Sequence, residues 1–482
     1  MPDARRSDVR DLLLVLLVLL LAGGARVWYL AALANGGQIS GPLQVQDSQP
    51  VLKALPPGTE MRGHEPPSEL DALIYHLAEQ RSFESLAPLA GSEEKTAHVA
   101  PGYPWLVSWL ERSPVDLNPV DRTVRWIQCG LGSLTALFYY WFARRAFAHR
   151  LPAFLTGLFC ALHPFWIVNT AEIDDGVLAT FLLAACLVFA VKGVQSGAAV
   201  SSLLYGLALA GLALVRAALL PFAIVALVWF LLRCRSVRRG WLCALLAFLG
   251  FTNGLIPWTI RNYKELGGLV PIADSAYLHL WAGNNPRATG GPLSEETLVE
   301  ALAEARGEDP QQTTARLTTM DQLERYRSLR DDVLKQVRED PASVFKHRLE
   351  AGVAYIFGAD WLQQRKLWRE ETGDAREVPA WFSDSYPAIF FGSLFAVLVL
   401  ATLGWRWSYA WRHEAMPASL AFVWVPLPYI LSHAEALSGP RLPLDGVLLC
   451  YAAFAIACLI PPAGRDLFFG PPLSWEVEET VR

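Results

Sequence analysis

The sequence predicts an all-α polytopic membrane protein, and three observations carry that expectation. The 482 residues are 53% hydrophobic and only 18% charged, with a mean hydropathy of +0.27, more apolar than a soluble globular chain of this size. Apolar segments recur at 12–34, 123–143, 151–168, 176–192, 201–215, 217–232, 240–258, 387–405, 417–432 and 442–461, which gives about ten spans. The short loops between them carry their basic residues in alternation. Arg5, Arg6 and Arg10, then Arg144, Arg145 and Arg150, Lys192, Arg233, Arg235, Arg238 and Arg239, and finally Arg406 and Arg412 all fall on one face. That face is expected to be cytoplasmic, with both termini on it.

Taken in order, the first segment is too long and too apolar for a secretory signal and reads as a retained span. The stretch 201–232 needs a physical decision. As one helix it would be ~46 Å long against a hydrocarbon core of ~30 Å, and it would move the next arginine cluster to the other face. Two short legs turning at Arg216 satisfy both constraints and leave that arginine recessed at the outer end, where an ionisable group is a functional candidate. The net charge of −5 says little, because asymmetry across the bilayer matters more than the total. The organisation expected is an N-terminal membrane module over 1–258 that includes an outer loop at 35–122, a large outer loop over 259–386, and C-terminal spans with a short tail over 387–482.

Both long outer loops are expected to contain amphipathic helices. Residues 35–67 are rich in Gly, Pro and Gln and read as irregular. The run from Ser68 to Ala78 then places Leu70, Leu73, Ile74 and Leu77 on one helical face, expected to lie on the membrane, with Asp71 near the helix N-terminus, where the dipole favours an anion. Between the third and fourth spans Glu172, Asp174 and Asp175 crowd a very short loop; such carboxylates suit a divalent cation as well as the start of a helix. The second long loop opens on Pro257-Trp258-Thr259-Ile260-Arg261-Asn262-Tyr263 and continues to Trp281 and Gly283-Asn284-Asn285-Pro286, whose indole and amides suit sugar rings and hydroxyls. The charged run from Thr318 to Gln336 reads as a solvated helix.

All seven cysteines fall in the spans or the cytoplasmic arginine loop, and neither outer loop holds one or an Asn-x-Ser/Thr sequon. A disulfide framework and a thiolate zinc site are thereby excluded from the outer loops. No nucleic-acid module, phosphate-cradling Gly loop or internal repeat is present.

With these residues in hand, the chain resembles the membrane glycosyltransferases of the C superfamily (the GT-C fold). Its pattern is nearest to family 39, that of the protein mannosyltransferases and the lipid A aminoarabinose transferase. The resemblance runs through Asp71/Tyr75/Ala78, Pro101-Gly102-Tyr103-Pro104, Leu162-His163-Pro164 with the acids after it, Gly211 to Arg216, Pro257 to Tyr263, Gly283 to Pro286, and Arg441-Leu442-Pro443. Such enzymes take a sugar from a polyprenyl-phosphate donor on the outer side of the membrane. The resemblance implies Asp71 as catalytic carboxylate with Asp174 or Asp175 as second acid. It further implies Arg216, Arg261, Arg441 and His98 around the donor phosphate, and Tyr75, Tyr103, Trp281, Asn284 and Asn285 around sugar or acceptor. No cofactor is implied beyond the cation that the acid trio could hold. The acceptor is a protein, a lipid or a glycan, and a bacterial inner membrane is the expected location.

Two departures from the family pattern bear on the phosphate site. Val99, with His98 beside it, stands where a basic residue commonly precedes Pro-Gly-Tyr-Pro, and Gly439-Pro440-Arg441 stands where Arg-Tyr-Arg is common. The competing readings are a lipid or sugar transporter and a catalytically inactive scaffold. A transporter is expected to gather polar groups at the bilayer midplane and in repeated halves, whereas here they gather at one surface.

Overall fold

A computed structural model describes residues 2–34, 83–86, 93–110, 117–236, 239–291, 293–357, 380–433 and 439–461, together with Leu73 and Leu77. Asp71 and Tyr75 lie outside the described residues. The ten expected spans fall on helical segments. The first seven are α1 (Pro2–Ala34), α3 (Leu117–Ala146), α4 (Arg150–Leu162) continued by the short α5 (Pro164–Val168), α6 (Gly176–Ser196), α7 (Ala199–Val215), α8 (Leu220–Arg233) and α9 (Gly240–Leu266). Before α3 comes α2 (Gly102–Leu110), and after α9 an outer layer of α10 (Ala276–Asn284), α11 (Glu295–Arg306), α12 (Pro310–Thr319), α13 (Gln322–Glu339) and α14 (Pro341–Phe357). Three further spans follow: α15 (Ala380–Trp407), α16 (Arg412–Trp424) with its short extension α17 (Leu427–Leu431), and α18 (Leu442–Leu459). Six of the described helices are long and apolar enough to cross a membrane, and three more apolar helices are shorter.

The turn expected at Arg216 is where the helix ends. Arg216 is extended (φ −140°, ψ 97°) between α7 and a single 3₁₀ turn, Ala217–Leu219, that leads into α8. At 17 residues, α7 is ~25 Å long, shorter than the ~30 Å hydrocarbon core of a bilayer. Two spans differ from the expectation. The third is broken at His163, where Pro164 removes a backbone donor and His163 caps the new start by accepting from Trp166 N (3.4 Å). The ninth is broken between Trp424 and Leu427, with Pro426 capping and Pro428 in the first turn of α17.

Small residues let the bundle close. A Cβ on Gly206 would stand 2.0 Å from Ala247 O, and one on Gly250 would stand 2.7 Å from Leu203 O, so α7 and α9 pack backbone to backbone in the manner of membrane helices. Gly446 of α18 likewise makes room for the Tyr139 ring, 2.3 Å from its would-be Cβ. Exposed tryptophans mark the two ends of the bundle: Trp28, Trp105, Trp109 and Trp126 at one, and Trp241, Trp405 and Trp407 at the other, as interfacial indoles do. Arg144, Arg145 and Arg150 belong to the second end. There Asp11 takes Arg150 Nε at 2.7 Å and Arg144 Nη2 at 3.4 Å.

The outer layer has its own core of Leu278, Trp281, Leu298, Leu302, Leu317, Tyr326 and Leu329. The charged run at 318–336 is therefore not solvated all round: Arg325, Tyr326, Leu329 and Val333 form a buried face of α13. Leu73, expected on the membrane surface, is fully buried in the protein. A two-stranded antiparallel ribbon, Glu84–Leu86 with Glu93–Lys95, joins this layer and had no sequence signal, since three-residue strands are too short to show a period.

Candidate active site

The acid loop at 169–175 is built by its own polar side chains. Asn169 ends α5 and donates from Nδ2 to Asp174 Oδ2 (2.7 Å), while Asp174 Oδ1 accepts from Gly176 N (2.8 Å) and so starts α6. From α3, Gln128 donates to Thr170 O (3.1 Å) and Glu172 O (2.6 Å), and Arg125 donates to Ala171 O (2.8 Å). Tyr103 of α2 is buried and donates to Gln128 Oε1 (3.0 Å), so it supports the loop through the glutamine.

Asp175 turns the other way, onto Arg216. Arg216 Nε donates to Asp175 Oδ2 at 3.0 Å, Nη2 donates to Oδ1, and Nη1 donates to Gly439 O at 2.8 Å. This two-pronged pair ties three separate outer segments together at one depth. Gly102 of the Pro-Gly-Tyr-Pro string packs against the end of α7, its would-be Cβ 2.9 Å from Leu214 O, which is why a glycine stands there beside Arg216. Burial pushes the Asp174 carboxyl up to about 7, helped by the Asp175 charge and opposed by the bonds from Asn169 and Gly176.

Arg441 adjoins this group at the start of α18. It is buried, with Nε 2.9 Å from Asp445 Oδ1, Nη1 donating to Ile356 O and the guanidinium over the Phe165 ring at 5.8 Å. His163 Nε2 lies 3.8 Å from the second Asp445 oxygen.

Arg261 and His98 form a second group, around the ribbon. Arg261 donates to Thr96 O (2.7 Å) and Phe83 O (3.0 Å) and stacks over the Phe83 and Trp258 rings. His98 Nδ1 is 2.9 Å from Tyr326 Oη, and its ring faces His279, which in turn meets His433 Nε2 at 3.0 Å. Burial and the neighbouring His279 and Arg325 hold the His98 imidazole down to about 3, and burial with His279 and Arg348 does the same for His433. The His98 and His433 rings are thereby neutral, and through His98, His279 and His433 the first, second and last long or polar loops meet.

Trp281, Asn284 and Asn285 serve the fold of the outer layer. All three are buried. Asn284 donates to Leu280 O and Leu431 O (2.6 and 3.2 Å), and Asn285 donates to Trp281 O and accepts from Arg287 N (2.9 and 2.8 Å). Sequence reasoning missed Asn169, Gln128 and Asp445, since a lone amide or carboxylate at the edge of an apolar run carries no pattern; the i, i+3 spacing of Arg125 and Gln128, which puts both on one helical face, was the one usable hint. Among the described residues no three His, Cys, Asp or Glu side chains gather as a metal-binding group. A cation at Glu172, Asp174 and Asp175 would have to displace Arg216 from Asp175.

Residues 101–259, about a third of the chain, match the family model of the dolichyl-phosphate-mannose-protein mannosyltransferases. The resemblance to a C-superfamily membrane glycosyltransferase is shown there. The matched stretch contains Tyr103, Asp174, Asp175 and Arg216. The curated proteins give no match. Among solved structures, the archaeal oligosaccharyltransferase AglB from Archaeoglobus fulgidus, in complex with an inhibitory peptide and a dolichol-phosphate, is similar at 13% identity and a TM-score of 0.45. The alignment covers 85% of this chain and 49% of that one, so the chain spans about half the length of that relative.

Proposed function

We propose that this protein is a glycosyltransferase that moves a hexosyl or pentosyl group from a polyprenyl-phosphate donor to an acceptor at the outer face of a membrane, in bacteria the inner membrane. The observation that carries the reading is the Asp175–Arg216–Gly439 tie, set at the recessed outer end of α7 inside the stretch that matches the mannosyltransferase family. A guanidinium at this depth meets the phosphate of a lipid whose tail lies in the bilayer. Transfer localises negative charge on that departing phosphate, and a fixed cation there lowers the barrier. Arg441 stands beside it as a second cation.

The acceptor hydroxyl needs a base within hydrogen-bond reach. Asp71 is proposed for that role by its position in the first loop. Asp174, held up near neutrality, is suited to exchange a proton with an acceptor or leaving oxygen. Arg261 and His98 take a supporting part, holding the ribbon of the first loop against the large loop. Tyr103 steadies the acid loop through Gln128.

The test is incubation of purified protein with labelled polyprenyl-phosphate hexoses and pentoses, reading both release of polyprenyl phosphate and transfer to added acceptors. Transfer abolished by Asp71→Asn with donor binding intact supports the reading. Donor binding without release from any sugar in the panel would leave a binding scaffold instead.

A further inference from the structure

Arg26 sits in the α1 span and is fully buried, although this helix turns Leu16, Leu20 and Trp28 outward. A guanidinium at that depth remains charged, and its five donors have to be satisfied inside the protein. Nη1 donates to Ala22 O (2.9 Å) and Ala161 O (3.2 Å), whereas Nε and Nη2 have no protein partner. Arg26 lines a cavity below the acid loop with Gly132, Thr135, Trp166, Asn169 and Thr180, with about 10 Å³ open to the centre of a water-sized molecule. Gly132 makes that space: a Cβ there would stand 2.5 Å from Arg26 Nε.

Asn169 Oδ1, in the wall of the same cavity, is buried and has no protein partner either. The Thr135 and Thr180 hydroxyls donate to Leu131 O and Gly176 O, which leaves only their lone pairs for the cavity. Unpaired donors of Arg26 and an unpaired acceptor of Asn169 thus belong to residues that line one cavity with room for a water, the setting in which buried waters are held. An amide has two distinct ends. An acceptor turned toward the guanidinium leaves Nδ2 facing Asp174, where it is found.

We propose that Arg26 is a positioning residue for the acid loop: through a water in this cavity it orients the Asn169 amide, and Asn169 in turn holds the Asp174 carboxylate. A flipped amide would set two donors against a cation and a carbonyl oxygen against a carboxyl group. Arg26 selects the productive orientation from below. The link between Arg26 and Asn169 is independent of the transferase reading, and only its consequence for turnover rests on that reading.

The experiment is a double-mutant cycle on thermal unfolding of the detergent-purified protein, with Arg26→Met, Asn169→Ala and the pair. Each single change lowers the melting temperature, and the pair lowers it no further than the worse single, because both remove one linked unit. Additive losses would overturn the link. Gly132→Ala, which pushes the guanidinium aside without removing its charge, gives the same non-additivity with Asn169→Ala and replaces Arg26→Met if that variant does not fold. In the transfer assay Arg26→Met lowers kcat by about 10–100-fold with donor Kd unchanged, and Arg26→Lys recovers part of it; a folded Arg26→Met with normal kcat would equally overturn the proposal. If the wild-type protein transfers no sugar, the transferase reading fails, while the cycle still decides the link.

Discussion

At the scale of single residues, Arg216 carries two jobs that separate experimentally. It closes a half-buried ion pair with Asp175 and, on the proposed function, meets the donor phosphate. Arg216→Ala leaves Asp175 without its cation, which for buried pairs costs about 3–5 kcal/mol; this exceeds the ~1.5–3 kcal/mol of a lost bond to a charged group. Lower stability is therefore expected alongside weaker donor binding. Arg216→Lys keeps the charge but not the two-pronged geometry, so it should restore most of the stability and less of the binding. Thermal unfolding together with a donor-binding titration checks this. Asp174 gives a pH signature. Its folded pKa, about 7, is above the ordinary carboxylate range, so between pH 4 and 7 the folded protein holds a proton that the unfolded chain has released. Stability then falls as pH rises through that window. Asp174→Asn removes this contribution, and melting curves against pH should show the variant gaining on the wild type from pH 4 to 7.

At the scale of elements, the spans were legible and their interruptions were not. Hydropathy and the arginine alternation mark where chain crosses lipid, because both are summed over some twenty residues. The break at His163 and the one before Leu427 depend on prolines that a membrane helix otherwise tolerates. The turn at Arg216 was readable because a length conflict forced it. In the outer layer, Trp281, Asn284 and Asn285 looked suited to sugar; their amides and indole are equally suited to closing helix ends, and only burial separates the two uses. The contact of α7 with α9 makes a firm expectation. Gly206→Val drives a methyl group into the Ala247 carbonyl, at the upper end of the ~1–3 kcal/mol typical of overpacking, and a matched exposed change, Leu207→Val, costs little; thermal unfolding of both decides it. The histidine row joining the outer loops makes another. Neutral His433, held at about 3, lies below the pKa of about 6.5 it has when unfolded. Stability is lost as pH falls from 6.5 toward 3, and His433→Gln should flatten that loss in a pH series of melting curves.

At the scale of the whole molecule, the arginine-rich end and the acid-loop end are opposite, with exposed indoles at both. Orientation is testable on the native cysteines' own terms, since all but Cys458 are buried. In a Cys458→Ser background, Glu296→Cys should react with a membrane-impermeant thiol reagent added outside cells, and Arg235→Cys only after permeabilisation; the reverse pattern would invert the topology. The candidate site was half legible. Asp174, Asp175 and Arg216 converge as their place at the outer ends of adjacent spans required. Arg261 and His98 lie with the ribbon: Arg261 donates to the Thr96 and Phe83 carbonyls of chain that has no helix of its own, and His98 meets the Tyr326 hydroxyl of α13.

On the proposed function, the closed Asp175–Arg216 pair also bears on selectivity among anions. A free inorganic phosphate or sulfate arriving from solution competes directly with a carboxylate already seated on both prongs, and it brings nothing else to the encounter. A polyprenyl phosphate arrives in two dimensions, concentrated by its tail at the depth of the guanidinium, so its local concentration is far above its bulk value. On that reading, the carboxylate closes back over the cation when the spent carrier diffuses away. A transferase built this way is shielded at rest from soluble anions and open to the one class of phosphate that the bilayer itself delivers.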